Sequence, residues 1–229
     1  MKTLGLVGGM SAESTALYYA ELNRLARERL GGLHSARLVL FSLDFAPIAE
    51  MQAEDHWHEA GEVLVGAARA LERAGAEAIL ICANTMHLVA DQVQAAVSVP
   101  LIHIADATAV ALKAAGVQRP LLLATRFTLE KPFYRDRLAT HGLKAMIPEA
   151  ADREVLHTII YEELCQGVVT AKSKTLVLAM VATARANGAD AVIFGCTEIG
   201  LLLSQDDLDV PAVDTCLVHA KAAADFALG

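Results

Sequence analysis

Apolar positions come along the chain in short unbroken runs, separated by longer stretches in which they recur every three or four residues. The runs predict buried strands and the longer stretches predict helices that pack on them. TLGLVGG (Thr3 to Gly9) is the first such run, and Ser11 stands where an N-cap would open a helix through SAESTALYYAELNRLARERL. ARLVLFSLDF predicts a second strand, the stretch from His58 to Ala74 a helix, and AEAILIC a third strand. VPLIHIADATAVALKAAG supplies a short strand introduced by Pro100 and then a helix, after which RPLLLAT (Arg119 to Thr125) begins the pattern again. Helical spacing covers Arg153 to Gln166 and Lys172 to Asn187, and is followed by the strand ADAVIFG and by VPAVDTCLVHAKAAADFAL.

Parts of this pattern occur twice. GAEAILICANTMH (Gly75 to His87) and GADAVIFGCTEIG (Gly188 to Gly200) match at an offset of 113 residues, and VPLIHI and VPAVDT match at 111. RPLLLATRFT and TLGLVGGMS share one order of apolar strand, polar turn and helix start. Buried strands resemble one another by composition alone. The Gly-Ala-acid before each strand and the polar residues after it do not follow from composition, and they point to duplication of an α/β half. Short strands alternating with helices imply parallel sheets covered on both faces. The expected fold is therefore α/β with two pseudo-twofold-related lobes, each a short parallel sheet flanked by helices, and an active site between them. The first lobe is placed at residues 1–98 plus 211–229 and the second at 99–210.

The 229 residues are 55% hydrophobic, enough for a sizeable core. A net charge of −8 with 20% charged residues leaves no whole-chain electrostatic footprint for nucleic acid or an anionic membrane. The four cysteines, at 82, 165, 196 and 216, form no C-x-x-C pair and no zinc-ligand spacing, so reduced thiols are expected and no metal. His56-x-His58 does not place both rings on one helical face and reads as solvated surface, while Trp57, Tyr18 and Tyr19 read as packing. With no signal-like leader and no apolar run of membrane-spanning length, a soluble cytoplasmic protein is expected.

Ligands of parallel α/β sheets sit beyond the carboxyl ends of the strands, where loops enter helices whose first N–H groups are free. Two lobes facing each other would present two such loops to one ligand, which suits a reaction at a carbon with two faces. At the 113-residue offset Ala83 falls on Cys196, so only one tip carries a thiol. Beside helix-start N–H groups such a thiol is expected to titrate below its usual value of about 8.5 and to serve as base or nucleophile. The bland alternative for Cys196 is a small buried hydrophobe.

LVGGMSAEST, Gln52, CANTMH, ATRFT and above all GCTEIG together resemble the aspartate/glutamate racemase family, over essentially the whole chain. The resemblance implies that two residues flank a substrate α-carbon. One removes the α-proton and the other returns a proton on the opposite face, without pyridoxal phosphate or metal. Carried over by motif, Cys196 is the second catalytic thiol, expected to serve the L enantiomer. Asn84, Thr85 and Thr197 hold the α-carboxylate, Met10, Ser11 and Thr125 line other edges, and Gln52 is a side-chain contact. Ordinary capping and turn chemistry would equally occupy these hydroxyls and amides. Glu198 and GGMS stand where glutamate racemases carry His and Asp-Ser-Gly, which implies the aspartate or broader-specificity branch. Glu198 would receive the substrate ammonium, set the state of Cys196, or simply complement a helix N-terminus. Arg126 and Lys131 could attract a second substrate carboxylate, or be a charged helix start. The implied partner is a small amino acid, and a homodimer would fit the family.

The family's first catalytic position, usually Cys and sometimes a hydroxyl residue, is Ala83 here, and a methyl group cannot carry a proton. Cys82 stands beside it, but neighbouring strand side chains point to opposite faces. Four readings follow. Thr85, His87 or a bound water replaces the missing base; Ala83 is an engineered substitution; the chain is a one-cysteine decarboxylase, as arylmalonate decarboxylases of the same superfamily are; or it binds an amino acid without turning it over.

Overall fold

The computed structural model describes residues 1–229, in two compact units. Met1–Ile104 with Cys216–Gly229 form the first, and Ala105–Thr215 the second. The first boundary thus falls after Ile104 rather than after residue 98, and the chain returns at Cys216 rather than at residue 211. The strands are β1 (Leu4–Gly8), β2 (Leu38–Ser42), β3 (Ala78–Ile81), β4 (Pro120–Leu123), β5 (Ala191–Phe194) and β6 (Ala212–Asp214).

In the first unit the sheet order is β2-β1-β3, all parallel, with Leu4 opposite Leu38 on one side and Ala78 on the other. The period of two along β3 sorts its side chains between two cores. Ile79 and Ile81 join Val7 and residues of the helices Phe45–Ala53 and Trp57–Arg73, among them Ile48, Leu64 and Leu71. Ala78, Leu80 and Cys82 join Leu4, Leu6 and the buried stripes of Ala12–Leu30 and Thr215–Leu228, including Tyr18, Leu22, Ala220 and Ala224. Both faces of the sheet are therefore covered at β1 and β3, whereas the edge strand β2 is exposed from Leu40 to Ser42. Ser11 caps the first long helix by accepting the Ser14 N–H at 3.2 Å.

The second unit repeats the plan with the order β4-β5-β6, again parallel, and with β4 and β5 fully buried. Its helices include Phe133–Thr140, Ala150–Thr158 and Ala171–Ala186. A one-residue bridge, Leu121 to Met146, stands where β2 stands in the first unit, and Ile79 to Leu101 stands where β6 stands in the second.

The repeated sequence has one physical meaning at each step. Gly75 and Gly188 end helices at φ 92° and 91°, and the next residues close matching turns, Ala76 N–H to the Leu71 carbonyl (3.0 Å) and Ala189 N–H to Ala184 (2.9 Å). The acids that follow fasten each strand to its neighbour. Glu77 donates its N–H to the Thr3 carbonyl (2.8 Å) while its carboxylate accepts the Thr3 N–H (2.7 Å). Asp190 donates to the Arg119 carbonyl (3.1 Å) and its carboxylate accepts the N–H groups of Gln118 (2.7 Å) and Arg119 (2.8 Å). The strands also leave their sheets alike: Cys82 N–H bonds to the Val7 carbonyl (2.9 Å) and Gly195 N–H to Leu123 (2.7 Å). Ala83 and Cys196 are the next residue in each case.

Three expectations need correcting. VPLIH forms only the Leu101 bridge, because the chain pairs there for a single residue. Arg153 to Gln166 is not one helix: after Ala150–Thr158 the ladder widens to a π-turn over Ile159–Glu163, tightens to a 3-10 turn over Leu164–Gln166 and stops at Gly167, φ 74°. Tyr19 is 59% exposed, so of the aromatic pair only Tyr18 packs. No helix is long and apolar enough to cross a membrane.

Asp190→Ala removes the acceptor for two backbone N–H groups and is expected to lower stability by roughly 1–3 kcal/mol, with Asn recovering part of the loss. Urea denaturation of the three proteins checks it, an unchanged midpoint for alanine being the contrary result.

Candidate active site residues at the strand ends

Cys196 and Thr197 are half-buried in the turn after β5, and Glu198 is buried as the first residue of the short helix Ile199–Leu202 closes behind it. The thiol donates to Glu198 Oε2 at 2.9 Å, and the Thr197 hydroxyl donates to the same oxygen at 2.6 Å. Burial is the main cause that raises the Cys196 pKa well above the ordinary thiol range, and the Glu198 carboxylate, by charge and by hydrogen bond, adds to it. The Glu198 backbone N–H works the other way and is outweighed. This corrects the expectation of a depressed thiol pKa: the helix-start N–H is present, but a carboxylate stands closer than the sequence pattern could reveal. The resting state is a thiol hydrogen-bonded to a carboxylate, which can deliver a proton or pass its own to Glu198.

Thr125 follows β4 and caps Arg126–Glu130, accepting the Thr128 N–H at 3.4 Å. Arg126 pairs with the exposed Glu154 at 3.3 Å, a surface pair that costs little to break. The Arg126 N–H donates to His157 Nδ1 at 3.4 Å, and the His157 ring packs edge-on to Phe127 (centroids 5.5 Å) and against Tyr161 (4.6 Å). Burial raises the Tyr161 pKa, and Cys196, Cys165 and Glu198 raise it further, so its phenol lies in the same negative field as the thiol. Sequence reading missed His157 and Tyr161. Their i, i+4 spacing was the available signal, but nothing marked that face as the one turned to Phe127.

In the first unit, β1 ends in a loop fastened by Thr15, whose hydroxyl accepts the Gly9 N–H (2.8 Å) and donates to the Ser11 carbonyl (2.8 Å). At Gly9, φ 88°, a β-carbon would stand 2.1 Å from the Leu43 carbonyl oxygen, so only glycine fits. Met10 is buried in the core that also holds Met86 and against which Ala83 packs. Gln52, 3% exposed, donates to the Met86 sulfur at 3.0 Å. Asn84, Thr85 and His87 are buried in the turn after β3. Met10, Gln52 and Ala83 thus share the apolar surroundings of Met86, beside Thr85.

His87 does not stand as a loose base at this tip. Its Nδ1 lies 2.7 Å from the Ala83 carbonyl, and its Nε2 accepts the Ile104 N–H at 3.1 Å. Both ring nitrogens are engaged by backbone. Cys82 lies in the opposite core, and burial drives its pKa far up.

A family model described as Asp/Glu/Hydantoin racemase matches residues 7–223. A Yersinia pestis protein provisionally assigned as an Asp/Glu racemase has a crystal structure similar over 100% of both chains, at 49% identity and a TM-score of 0.95. An aspartate racemase homologue from Pyrococcus horikoshii is similar over 100% of both chains, at 36% identity and a TM-score of 0.87. The broad specificity amino-acid racemase RacX of Bacillus subtilis is 20% identical over 96% of this chain and 95% of its own. With the match spanning nearly every element described above, the chain belongs to the Asp/Glu/Hydantoin racemase family.

Proposed function

We propose that the chain acts at the α-carbon of a small amino acid as a racemase-type enzyme that needs no pyridoxal phosphate or metal. The observation that carries this reading is the 2.9 Å hydrogen bond from the Cys196 thiol to Glu198 at the end of β5. Cys196 is the proton-handling group and Glu198 the store that receives the thiol proton when a thiolate is required. Asn84, Thr85 and Thr197 bind the α-carboxylate, Met10, Ser11 and Thr125 line the other edges of the substrate, and Gln52 is a side-chain contact. Aspartate and glutamate are the favoured substrates from the family, and the likeness to a broad specificity racemase widens the set to be tried.

A second reading has its own observation. Ala83 occupies the place in the first unit that Cys196 occupies in the second, and its methyl carries no proton. One thiol is enough for a decarboxylase: after a malonate loses carbon dioxide, the planar enediolate takes the Cys196 proton on one face. Under either reading Cys196 is indispensable.

In D₂O, the chain is expected to exchange the α-hydrogen of an L-amino acid, followed by proton NMR with chiral analysis. Cys196→Ser should slow this at least about a hundredfold, and Cys82→Ala should leave it within about twofold. Unchanged exchange in Cys196→Ser sinks the assignment. Retention of configuration would show a single working face, and Ala83→Thr or Ala83→Cys should then introduce inversion. Absence of exchange, with carbon dioxide released from a disubstituted malonate, establishes the decarboxylase instead.

Glu198→Gln removes the charge that adds to burial in raising the thiol pKa, so thiolate should form at lower pH. Iodoacetamide alkylation of Cys196, read by peptide mass spectrometry across pH, is expected to shift downward in the variant. A profile that does not move would show that Glu198 does not govern the thiol.

A further inference from the structure

Behind the β3 tip lies a buried group that the proposed chemistry does not use. His219 is fully buried in the helix Thr215–Leu228, with Nδ1 2.7 Å from the Tyr18 hydroxyl and Nε2 2.7 Å from the Ile102 carbonyl. A carbonyl only accepts, so Nε2 carries the proton and Nδ1 accepts from Tyr18. His87 is fixed in the opposite sense: Nδ1 donates to the Ala83 carbonyl at 2.7 Å, and Nε2 accepts the Ile104 N–H at 3.1 Å. The two rings lie 5.7 Å apart at 70°, and the His103 ring, from the segment between Ile102 and Ile104, lies 4.6 Å from that of His87. His87 and His219 therefore each have one nitrogen facing an acceptor and one facing a donor. A second proton on His87 would set its Nε2–H against the Ile104 N–H. The Tyr18 hydroxyl can turn to accept from a protonated His219, and there it is burial, holding the pKa down at about 4, that keeps the ring neutral.

We propose that Tyr18, His219 and His87 form a neutral, tautomer-fixed clamp that positions the Ala83–Thr85 turn against Ile102–Ile104, His87 being a positioning residue for the substrate-binding Asn84 and Thr85. The inference rests on the racemase reading for its consequence and on the hydrogen-bond geometry of the two rings for its mechanism. Both ends of the clamp are backbone: His87 grips the carbonyl of the residue that follows β3, and His219 grips the segment that His87 also holds through Ile104. Between them is ring-to-ring packing, which tolerates no large change of angle. The clamp acts on where Asn84 and Thr85 stand, and no proton of the reaction passes through it. A substitution that breaks it should weaken substrate binding more than it slows the bound complex.

The two polar atoms of His87 can be tested separately, since the amide of Asn reaches the Nδ1 position and that of Gln the Nε2 position. His87→Asn retains a donor to the Ala83 carbonyl; His87→Leu retains nothing. With α-hydrogen exchange as the assay, His87→Leu is expected to raise KM about tenfold with kcat changed less than about threefold, and His87→Asn to recover most of the loss. Equal losses in kcat and kcat/KM, or a leucine variant with unchanged KM, would overturn the positioning role. Long-range proton–nitrogen NMR of the histidine rings reads the clamp without turnover. Neutral Nδ1–H for His87 and Nε2–H for His219, with Thr85 and Met86 amide protection lost in His87→Leu, is the expected result. Mixed tautomers or unchanged protection would overturn the clamp even in an active enzyme. Correct tautomers and lost protection in a protein that exchanges no α-hydrogen would leave the clamp standing and remove the racemase reading.

Discussion

The structure depends on how each central strand leaves its sheet. In a parallel sheet the last ladder hydrogen bond decides which residue is the first to be free of the neighbouring strand. Cys82 N–H bonds to the Val7 carbonyl and Gly195 N–H to the Leu123 carbonyl, so Ala83 and Cys196 are the first residues beyond the ladder in their units. Everything at the tips follows from that register. A slip of one residue would turn Cys82 out of its core and bury position 83 in its place. The acids Glu77 and Asp190 guard against such a slip from the other end, by tying the start of each strand to its neighbour through carboxylate as well as backbone.

This explains why so much was legible in the sequence. The Gly-Ala-acid repeat is visible because each of its residues has one task that few others perform: a left-handed φ, a turn-closing N–H, and a carboxylate short enough to reach a backbone donor. Strands buried on both faces read as unbroken apolar runs for the same reason. Legibility failed where the structure departs from regular periods. The Leu101 bridge is one residue long, and the π-turn at Ile159–Glu163 keeps a helical composition while changing its ladder. His157 and Tyr161 were missed with it, since their importance comes from Phe127, which is remote in sequence.

At the candidate site, residue types were legible and their electrostatics were not. A thiol beside a helix start suggests a depressed pKa if the N–H groups are counted alone. The chain places a buried carboxylate within hydrogen-bonding distance of the sulfur, and its charge together with desolvation of the thiol outweighs the single N–H. Sign matters here. A thiol with a depressed pKa rests as a thiolate, which can take up a proton; one with a raised pKa rests as an acid, which can give one up. The sequence GCTEIG contains both groups, but the balance between them is set by distance.

The two tips also differ in what they leave to be altered. In the second unit the Cys196 side chain is itself the hydrogen-bonded group, so removing the thiol removes the interaction with Glu198. In the first unit the turn is held through the backbone carbonyl of Ala83 and through Ile104, and the side chain at position 83 takes no part in those bonds. A change from a larger residue to alanine there would leave the hydrogen bonds of the turn intact and cost only the contacts of the lost atoms. The fold can thus carry a methyl group at this tip without losing the geometry around it, which is why the architecture is compatible with racemase and one-thiol chemistry alike, and why Cys196, with its carboxylate, is the side chain common to both.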